Sequence, residues 1–299
     1  MSRVMTVFAF LFVCLSSFAQ QLVVTAEGHH GAAPGVLTRD DISAEMDGKP
    51  ARITGWTPLT GDQAALELYV VIDDGTDTDL GLQFGALKDF IHELPASTRV
   101  GLAYLRNGMA VILAPVTAGR EEMVKALRLP IGFGGIAASP YIAISDLVKK
   151  WPESKARREV LLISSGTDPY EPHDLLNPYL QTAITDAQRA GIVVHSIYYP
   201  GAGHWGHTYW RINWGENYLS ELGDGTGGEA YWQGPEKPVG IESYLKDFAL
   251  RLENQYLLAL DKDDLKSGLH RVRVVTSKPG ISLVAAEKVL IPDRRPAQR

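Results

Sequence analysis

The run Leu66-Glu-Leu-Tyr-Val-Val-Ile72, followed directly by Asp73-Asp-Gly-Thr-Asp-Thr-Asp79, decides the fold class. An almost continuous apolar and β-branched run of this length is typical of a strand that is buried on both faces of a parallel sheet. The acidic segment ends the strand. The apolar side chains that follow recur at helical spacing, at Leu80, Phe84, Leu87, Ile91 and Leu94. A buried strand and then a helix form the first half of a βαβ unit.

The same alternation continues to about residue 260. The apolar patterns predict strands at 66–72, 100–105, 159–164 and 192–198, and helices at 80–94, 120–128, 140–151 and 177–190. Asn107-Gly108 predicts a tight hairpin into 109–113, because both positions tolerate positive φ. We therefore expect a doubly wound α/β fold. Its sheet is Rossmann-like and mostly parallel, with one antiparallel strand and helices on both faces.

The two ends of the chain have strand patterns without the strand–helix alternation of the middle, and this difference sets the expected domain boundaries. Residues 20–62 contain a strand-like stretch and a turn signal but no helical pattern, and residues 254–299 contain alternating strand patterns such as His270–Val275. We expect an N-terminal β segment at 20–62, the α/β domain at 63–253, and a C-terminal β segment and tail at 254–299. The two ends either form a small β flank or extend the main sheet.

Residues 1–19 have the pattern of a secretory signal peptide. Arg3 precedes the apolar run Val4–Leu15, and Ser17-Phe-Ala19 is a small-x-small cleavage pattern. An uncleaved N-terminal anchor is the alternative. Cys14 is the only cysteine and would leave with the signal, so no disulfide is expected. We predict an exported protein, periplasmic or extracellular, with no transmembrane segment in the mature chain.

The composition argues against several function classes. The net charge is −6, from 35 acidic and 29 basic residues, which disfavours nucleic acid as a partner. The sequence has neither a phosphate-binding P-loop nor a Gly-x-Ser-x-Gly nucleophile elbow. Ser165, Asp168 and His173 lie near one another in sequence and leave a serine hydrolase as the weakest alternative. We expect a protein that is not an enzyme.

Several motifs resemble, in their order, a von Willebrand factor A (VWA) domain of the acidobacterial secreted type, also called VWFA-related. They are the acidic segment after the first strand, the strand ending Leu161-Leu-Ile-Ser-Ser-Gly166, and Leu222-Gly-Asp-Gly-Thr-Gly-Gly-Glu-Ala-Tyr231. Leu37–Ile42 and Gln255–Leu260 resemble the flanks of that group. The resemblance covers most of the mature chain and implies a VWA-type fold and binding to a protein partner.

The family also implies a metal-ion-dependent adhesion site, in which an Asp-x-Ser-x-Ser loop, a threonine and a further aspartate hold Mg²⁺. Here the pattern is degenerate. If Asp73 is the first ligand, Gly75 and Asp77 replace the two hydroxyls; if Asp74 is the first ligand, Asp74-x-Thr76-x-Thr78 keeps the chemistry but the loop is shifted by one residue. Ser165 replaces the further aspartate. The candidate ligands for Mg²⁺, Mn²⁺ or Ca²⁺ are Asp73, Asp74, Thr76, Asp77, Thr78, Ser139 and Asp168. The alternative has no metal, with these acids solvated or capping a helix.

Residues 199–218, the aromatic segment, form the other conspicuous feature. Three of the six tryptophans lie in it, and aromatic side chains suit protein recognition. The candidate partner-binding residues are Trp205, Tyr209, Trp210 and Trp214. An insertion folded back into a satellite core is the alternative.

The expected function is an exported protein-binding module, for adhesion or scaffolding, with a degenerate metal site. A metal-free protein that binds through the aromatic segment is the second hypothesis, and the serine hydrolase is the third.

Overall fold

The computed structural model describes residues 20–29, 32–61, 64–132, 139–170, 176–203, 208–234, 237–261 and 265–293. In these residues the strands are β1 (Gln20–Gly28), β2 (Ile42–Met46), β3 (Lys49–Ala51), β4 (Ile53–Pro58), β5 (Leu66–Asp73), β6 (Thr98–Arg106), β7 (Met109–Ala114), β8 (Arg157–Ser164), β9 (Ile192–Tyr198), β10 (Ala230–Tyr231), β11 (Gln255–Leu260), β12 (Gly268–Thr276), β13 (Ile281–Ala285) and β14 (Lys288–Ile291). The helices are α1 (Phe84–Glu93), α2 (Arg120–Ala126), α3 (Pro140–Lys150), α4 (Pro178–Ala190), α5 (Tyr209–Thr226) and α6 (Glu242–Glu253).

The central sheet has the strand order β10-β9-β8-β5-β6-β7. Every neighbouring pair is parallel except β6 and β7, which form the antiparallel hairpin predicted from Asn107-Gly108. The chain winds outward from β5 in both directions, as in the Rossmann fold. The predicted fold class is confirmed.

Each face of the central sheet carries its own core, because successive side chains of a strand point to opposite faces. On β5, Leu68 and Val70 pack with α1, α2 and α6, whereas Tyr69 and Val71 pack with α3, α4 and α5. All seven residues of Leu66–Ile72 are buried. The uniform apolar run is thus explained by helices on both faces.

The two chain ends form a β flank of their own. The sheets β13-β1-β11-β4 and β14-β12-β2-β3 are both antiparallel, and they share one apolar core that includes Val24, Met46 and Leu258. The ends therefore do not extend the central sheet. In the β2–β3 turn, Asp47 and Gly48 both have positive φ, of 51° and 75°, as a tight hairpin requires.

Helix α6 was not among the sequence predictions. Its buried side chains Tyr244, Leu245, Phe248 and Leu252 have helical spacing, so the signal was present. The helix covers the α1 side of the central sheet, where Phe248 packs near Phe90. No helix in the described residues is both long enough and apolar enough to cross a membrane.

Candidate functional site

The carboxyl ends of β5, β8 and β9 lie side by side and define the carboxyl edge of the sheet. Backbone hydrogen bonds join the segments that follow β5 and β9. The Asp77 N–H donates to the Pro200 carbonyl at 2.9 Å, and the Ala202 N–H donates to the Gly75 carbonyl at 2.9 Å. Ligands of doubly wound sheets bind at this edge, so the candidate site is assembled here.

Asp73, the last residue of β5, has hydrogen-bond partners but no cationic partner among the described residues. Its carboxylate accepts from the Ser164 hydroxyl at 2.7 Å and from the Gly75 N–H at 2.8 Å. Burial raises the pKa of the Asp73 carboxyl, and these two hydrogen bonds oppose the rise. No lysine, arginine or histidine among the described residues forms an ion pair with it.

Asp74 has a different environment from Asp73. It is fully buried, and its two carboxylate oxygens accept from the two terminal nitrogens of Arg128 at 2.7 and 2.8 Å. The Arg128 guanidinium also lies 3.9 Å from the centre of the Tyr104 ring. Sequence reasoning did not find Arg128, because no local pattern links residues that are 54 positions apart. A metal at Asp74 would have to displace this bidentate pair.

The side chains of Thr76 and Asp77 form hydrogen bonds with the backbone of the acidic segment itself. The Thr76 hydroxyl is buried and donates to the Asp73 carbonyl at 2.8 Å. Asp77 caps the short 3₁₀ helix Thr78–Gln83 by accepting from the Asp79 N–H at 2.9 Å. Thr78 is exposed.

Ser139 and Asp168, two of the candidate metal ligands, contact each other at the carboxyl edge. The Ser139 hydroxyl donates to Asp168 at 2.5 Å, and the Asn177 side-chain amide donates to the same carboxylate oxygen at 2.9 Å. Ser139 also accepts from the Tyr141 N–H and thereby caps α3. Residues 133–138, which precede Ser139, lie outside the described residues.

Asp73 and Asp168 share a neighbour, Tyr141. Its hydroxyl donates to the Gly166 carbonyl at 2.7 Å. Burial raises the pKa of the Tyr141 phenol, and Asp168, Tyr218 and Asp73 add to the rise. Both carboxylates therefore lie near one buried phenol.

The donor set decides where a divalent cation could fit. Asp73, Ser139, Ser164 and Asp168 offer carboxylate and hydroxyl oxygens, which are the hard donors that Mg²⁺ takes. A site that begins at Asp74 does not have a free carboxylate. The described residues contain no group of three or more His, Cys, Asp or Glu side chains that could hold a metal ion, so a site centred on Asp73 would have to use hydroxyl ligands as well, and metal binding itself stays a prediction.

The aromatic segment is only partly a loop. Helix α5 begins at Tyr209, because Ile212, Gly215, Tyr218 and later apolar residues recur at helical spacing. Tyr209 and Trp210 are 66% and 68% exposed, whereas Trp214 packs against the core and lies 5.7 Å from the Tyr218 ring. Trp205, His204 and His207 lie outside the described residues. The satellite-core alternative therefore describes Trp214, and the binding hypothesis still applies to Tyr209 and Trp210.

Exposed large apolar side chains stand on several segments around the carboxyl edge. We call them the apolar rim: Leu82, Leu129, Ile131, Tyr170, Leu176, Tyr209 and Trp210. Leu129 lies against Gly81, where an added Cβ would clash with the Leu129 side chain. The Ile131 N–H approaches Asp74. Of these residues only Tyr209 and Trp210 were predicted, because isolated apolar residues such as Leu82 carry no surface signal in a sequence.

The hydrolase hypothesis has little geometric support. Ser165 is buried, and its hydroxyl oxygen accepts from the Thr167 N–H at 3.4 Å. No histidine among the described residues contacts it, and His173 lies outside them.

Comparisons with known proteins were made for sequence and structure. No family model and no curated protein matches the chain. An aerotolerance-related membrane protein from Bacteroides fragilis is 12% identical, and the match covers 62% of this chain and 98% of that one with a TM-score of 0.41. The VWA domain of SpRpn10 is 14% identical, covering 62% and 95%, with a TM-score of 0.38.

A third structure contains three N-terminal domains of the type V pili tip protein Mfa5 from Porphyromonas gingivalis. It is 8% identical, covering 92% of this chain and 67% of that one, with a TM-score of 0.41. The chain has a VWA-like α/β fold, with the central strand order β10-β9-β8-β5-β6-β7 and helices on both faces.

Proposed function

We propose that the protein is an exported protein-binding module that contacts its partner through the carboxyl edge of the α/β domain. The observation that carries the proposal is the apolar rim. Clustered exposed apolar side chains mark interaction surfaces, whereas single ones do not. The rim residues lie in segments at the same edge as aspartates and serines that are already hydrogen-bonded to one another, an arrangement that favours a binding face over a catalytic centre.

Tyr209 and Trp210 supply the main contact in this proposal. Aromatic residues dominate the energetics of protein interfaces because they bury a large area at a small cost in conformational entropy. Both begin α5 and are mostly exposed. The metal-free hypothesis therefore has the more direct support from geometry.

A metal-assisted contact is the second candidate. The specific observation that favours it is the buried Asp73 carboxylate, which faces Ser164 and lacks a cation partner among the described residues. When bound, a divalent cation would supply a bridge to an acidic group of the partner. Asp73, Ser139 and Ser164 would hold it.

The test is capture of a partner from the envelope and secreted fractions of the organism that encodes the chain. The double variant Tyr209→Ala/Trp210→Ala should lose the captured protein. The control is Val36→Ala/Val275→Ala, which truncates two exposed apolar side chains of the β flank. Equal capture by wild type and the rim variant would contradict the proposal, as would equal loss in the control.

The metal-assisted candidate is tested by repeating the capture experiment with EDTA and with millimolar Mg²⁺, Mn²⁺ or Ca²⁺. A thermal melt of the protein is measured under the same conditions. Ligand at 100 times its Kd stabilises the native state by about 2.7 kcal/mol. A shift that Asp73→Ala abolishes would support the metal-assisted form. No shift with any ion, together with EDTA-resistant capture, would leave the metal-free form.

A further inference from the structure

A cleft of about 460 Å³ lies at the amino edge of the central sheet, opposite the apolar rim. Its walls come from the starts of β8 and β9, the end of α4, and β1, β11 and β14 of the β flank. The volume falls within the range of sites for small molecules. The cleft thus lies between the α/β domain and the β flank.

The lining of the cleft is strongly basic. Five cations line it and no carboxylate does: Lys155, Arg157, Arg158, Arg189 and Lys288. The whole chain carries a net charge of −6, so this local excess runs against the overall balance. Among the described residues, only Arg157 of the five forms an ion pair, with Glu159, and cations held together with so few counter-charges repel one another. The cleft therefore favours an anion.

Three of these cations have no partner. The side chains of Lys155, Arg189 and Lys288 form no hydrogen bond or ion pair with any residue in the described part of the chain. They come from three separate segments, namely the turn before β8, the last turn of α4 and the start of β14. Two neutral polar side chains of the cleft already form hydrogen bonds: Ser154 donates to Glu67, and Gln188 donates to the Gly225 carbonyl.

The two remaining cations, Arg157 and Arg158, have partners within the protein. The Arg157 side chain is only 6% exposed, and its Nε lies 3.4 Å from Glu159 Oε1 without a hydrogen bond. Arg158 donates to backbone carbonyls, among them Ala190. Burial lowers the pKa of both guanidinium groups, so an anion beside them would offset their desolvation.

We propose that this cleft binds a small organic phosphate, a site distinct from the proposed protein-binding face. A phosphate monoester carries nearly two negative charges and three acceptor oxygens, which suits three unpaired cations better than one carboxylate would. Arginine is well matched to phosphate geometry. Leu22, Leu257 and Val289 form an apolar wall for the organic part of the ester.

Binding there would join two parts of the molecule. Arg189 belongs to α4 of the α/β domain, and Lys288 belongs to β14 of the β flank. A ligand held by both residues is lost when either part unfolds. Phosphate binding should therefore raise the melting temperature of the native protein.

The test is calorimetric titration and thermal melting of the purified protein with phenyl phosphate and with inorganic phosphate, at constant ionic strength. Phenyl phosphate should bind with the lower Kd because of the apolar wall. The variant Arg189→Gln/Lys288→Gln should bind at least about tenfold more weakly, since two of three free cations are gone. Neither side chain has an intramolecular partner, so the ligand-free variant should melt as the wild type does.

The matched control is Lys246→Gln/Arg273→Gln, which removes two exposed cations that lie outside the cleft. It should bind like the wild type. Equal affinity in the Arg189→Gln/Lys288→Gln variant would overturn the proposal. So would the absence of heat and of a melting shift with both phosphates, or binding of citrate alone, which would assign the cleft to carboxylates.

Discussion

Asp73 and Asp74 are adjacent in sequence yet have opposite electrostatic environments. Asp73 shares hydrogen bonds with a hydroxyl and a backbone amide, whereas Asp74 forms a bidentate pair with Arg128. Successive side chains of a strand point to opposite faces of the sheet, so Asp73 and the residue that follows it have different surroundings. At the residue scale, this difference separates the candidate ligand from the structural acid.

The Arg128→Met variant tests the structural role of this pair. Asp74 is fully buried, so removal of its partner leaves an uncompensated charge that should cost about 3 kcal/mol of unfolding free energy. Urea denaturation at neutral pH measures it. Lys125→Met, an exposed cation on α2, is the control and should be neutral. A loss no larger than the control's would refute the structural role, whereas added Asp74→Asn should restore part of the stability.

His270 and Asp47 give a pH-dependent contribution to stability. The hydrogen bond between them, at 2.6 Å, raises the pKa of His270 above 6.5 and lowers that of Asp47 below 3.8. The histidine part is complete below pH 6.5 and is lost as pH rises through the raised pKa. The aspartate part is present above pH 3.8 and is lost as pH falls through the lowered pKa.

The His270→Gln variant should therefore lose more stability at about pH 5.5 than at about pH 9. Chemical denaturation at both pH values measures the difference. Arg273→Gln, an exposed cation on the same strand, should have the same small effect at both. A pH-independent loss in His270→Gln would show that the pair contributes through packing alone.

At the element scale, β7 is an exposed edge that the structure protects with side chains. Met109, Val111 and Leu113 of this edge strand are exposed, and such an edge can pair with another chain. The Ala110 N–H donates to Asp146 at 2.8 Å, and Lys150 donates to the Ala110 carbonyl at 3.2 Å. Two side chains of α3 therefore occupy backbone groups that a second strand would need.

The variant Asp146→Ala/Lys150→Ala should expose this edge and promote self-association. Light scattering after size-exclusion chromatography, across a range of protein concentrations, measures the oligomeric state. The control Asp89→Ala/Lys125→Ala removes the same two charge types elsewhere and should stay as the wild type. A variant that remains as monodisperse as its control would show that the two side chains do not protect the edge.

At the scale of the whole molecule, Arg251 links the two parts of the chain. This α6 residue pairs with Glu27 of β1, with Glu229 at 2.8 Å and with Asp247 at 2.9 Å. Its side chain is mostly buried. One guanidinium therefore balances three carboxylates where the β flank meets the α/β domain.

The Arg251→Met variant keeps the apolar stem but leaves these carboxylates facing one another. We expect the two parts to unfold less cooperatively, so that calorimetry shows two transitions or a broadened one at a lower temperature. High salt should restore part of the loss, because it screens the repulsion. Lys246→Met on the same helix is the control. A single transition at the wild-type temperature would contradict this role.

Local pattern predicted most of the α/β domain. Strand β5, the β6–β7 hairpin and helices α3 and α4 follow from apolar periodicity and turn chemistry, which act over a few residues. Helix α5 is not among the predicted helices, because the aromatic and glycine residues of Tyr209–Thr226 obscure its apolar spacing. At the site, the sequence singled out Asp73, Ser139 and Asp168, which do lie at the carboxyl edge.

The sequence by itself determined the fold class. A strand that is buried on both faces has to be apolar along its whole length. A helix that is covered on one face has to repeat its apolar residues at helical spacing. The tertiary structure alone decided which acid of Asp73-Asp74 is paired, and that the apolar rim and the basic cleft exist. Each depends on residues far apart in the chain. Such contacts arise only when packing brings distant segments together, and no local pattern encodes them.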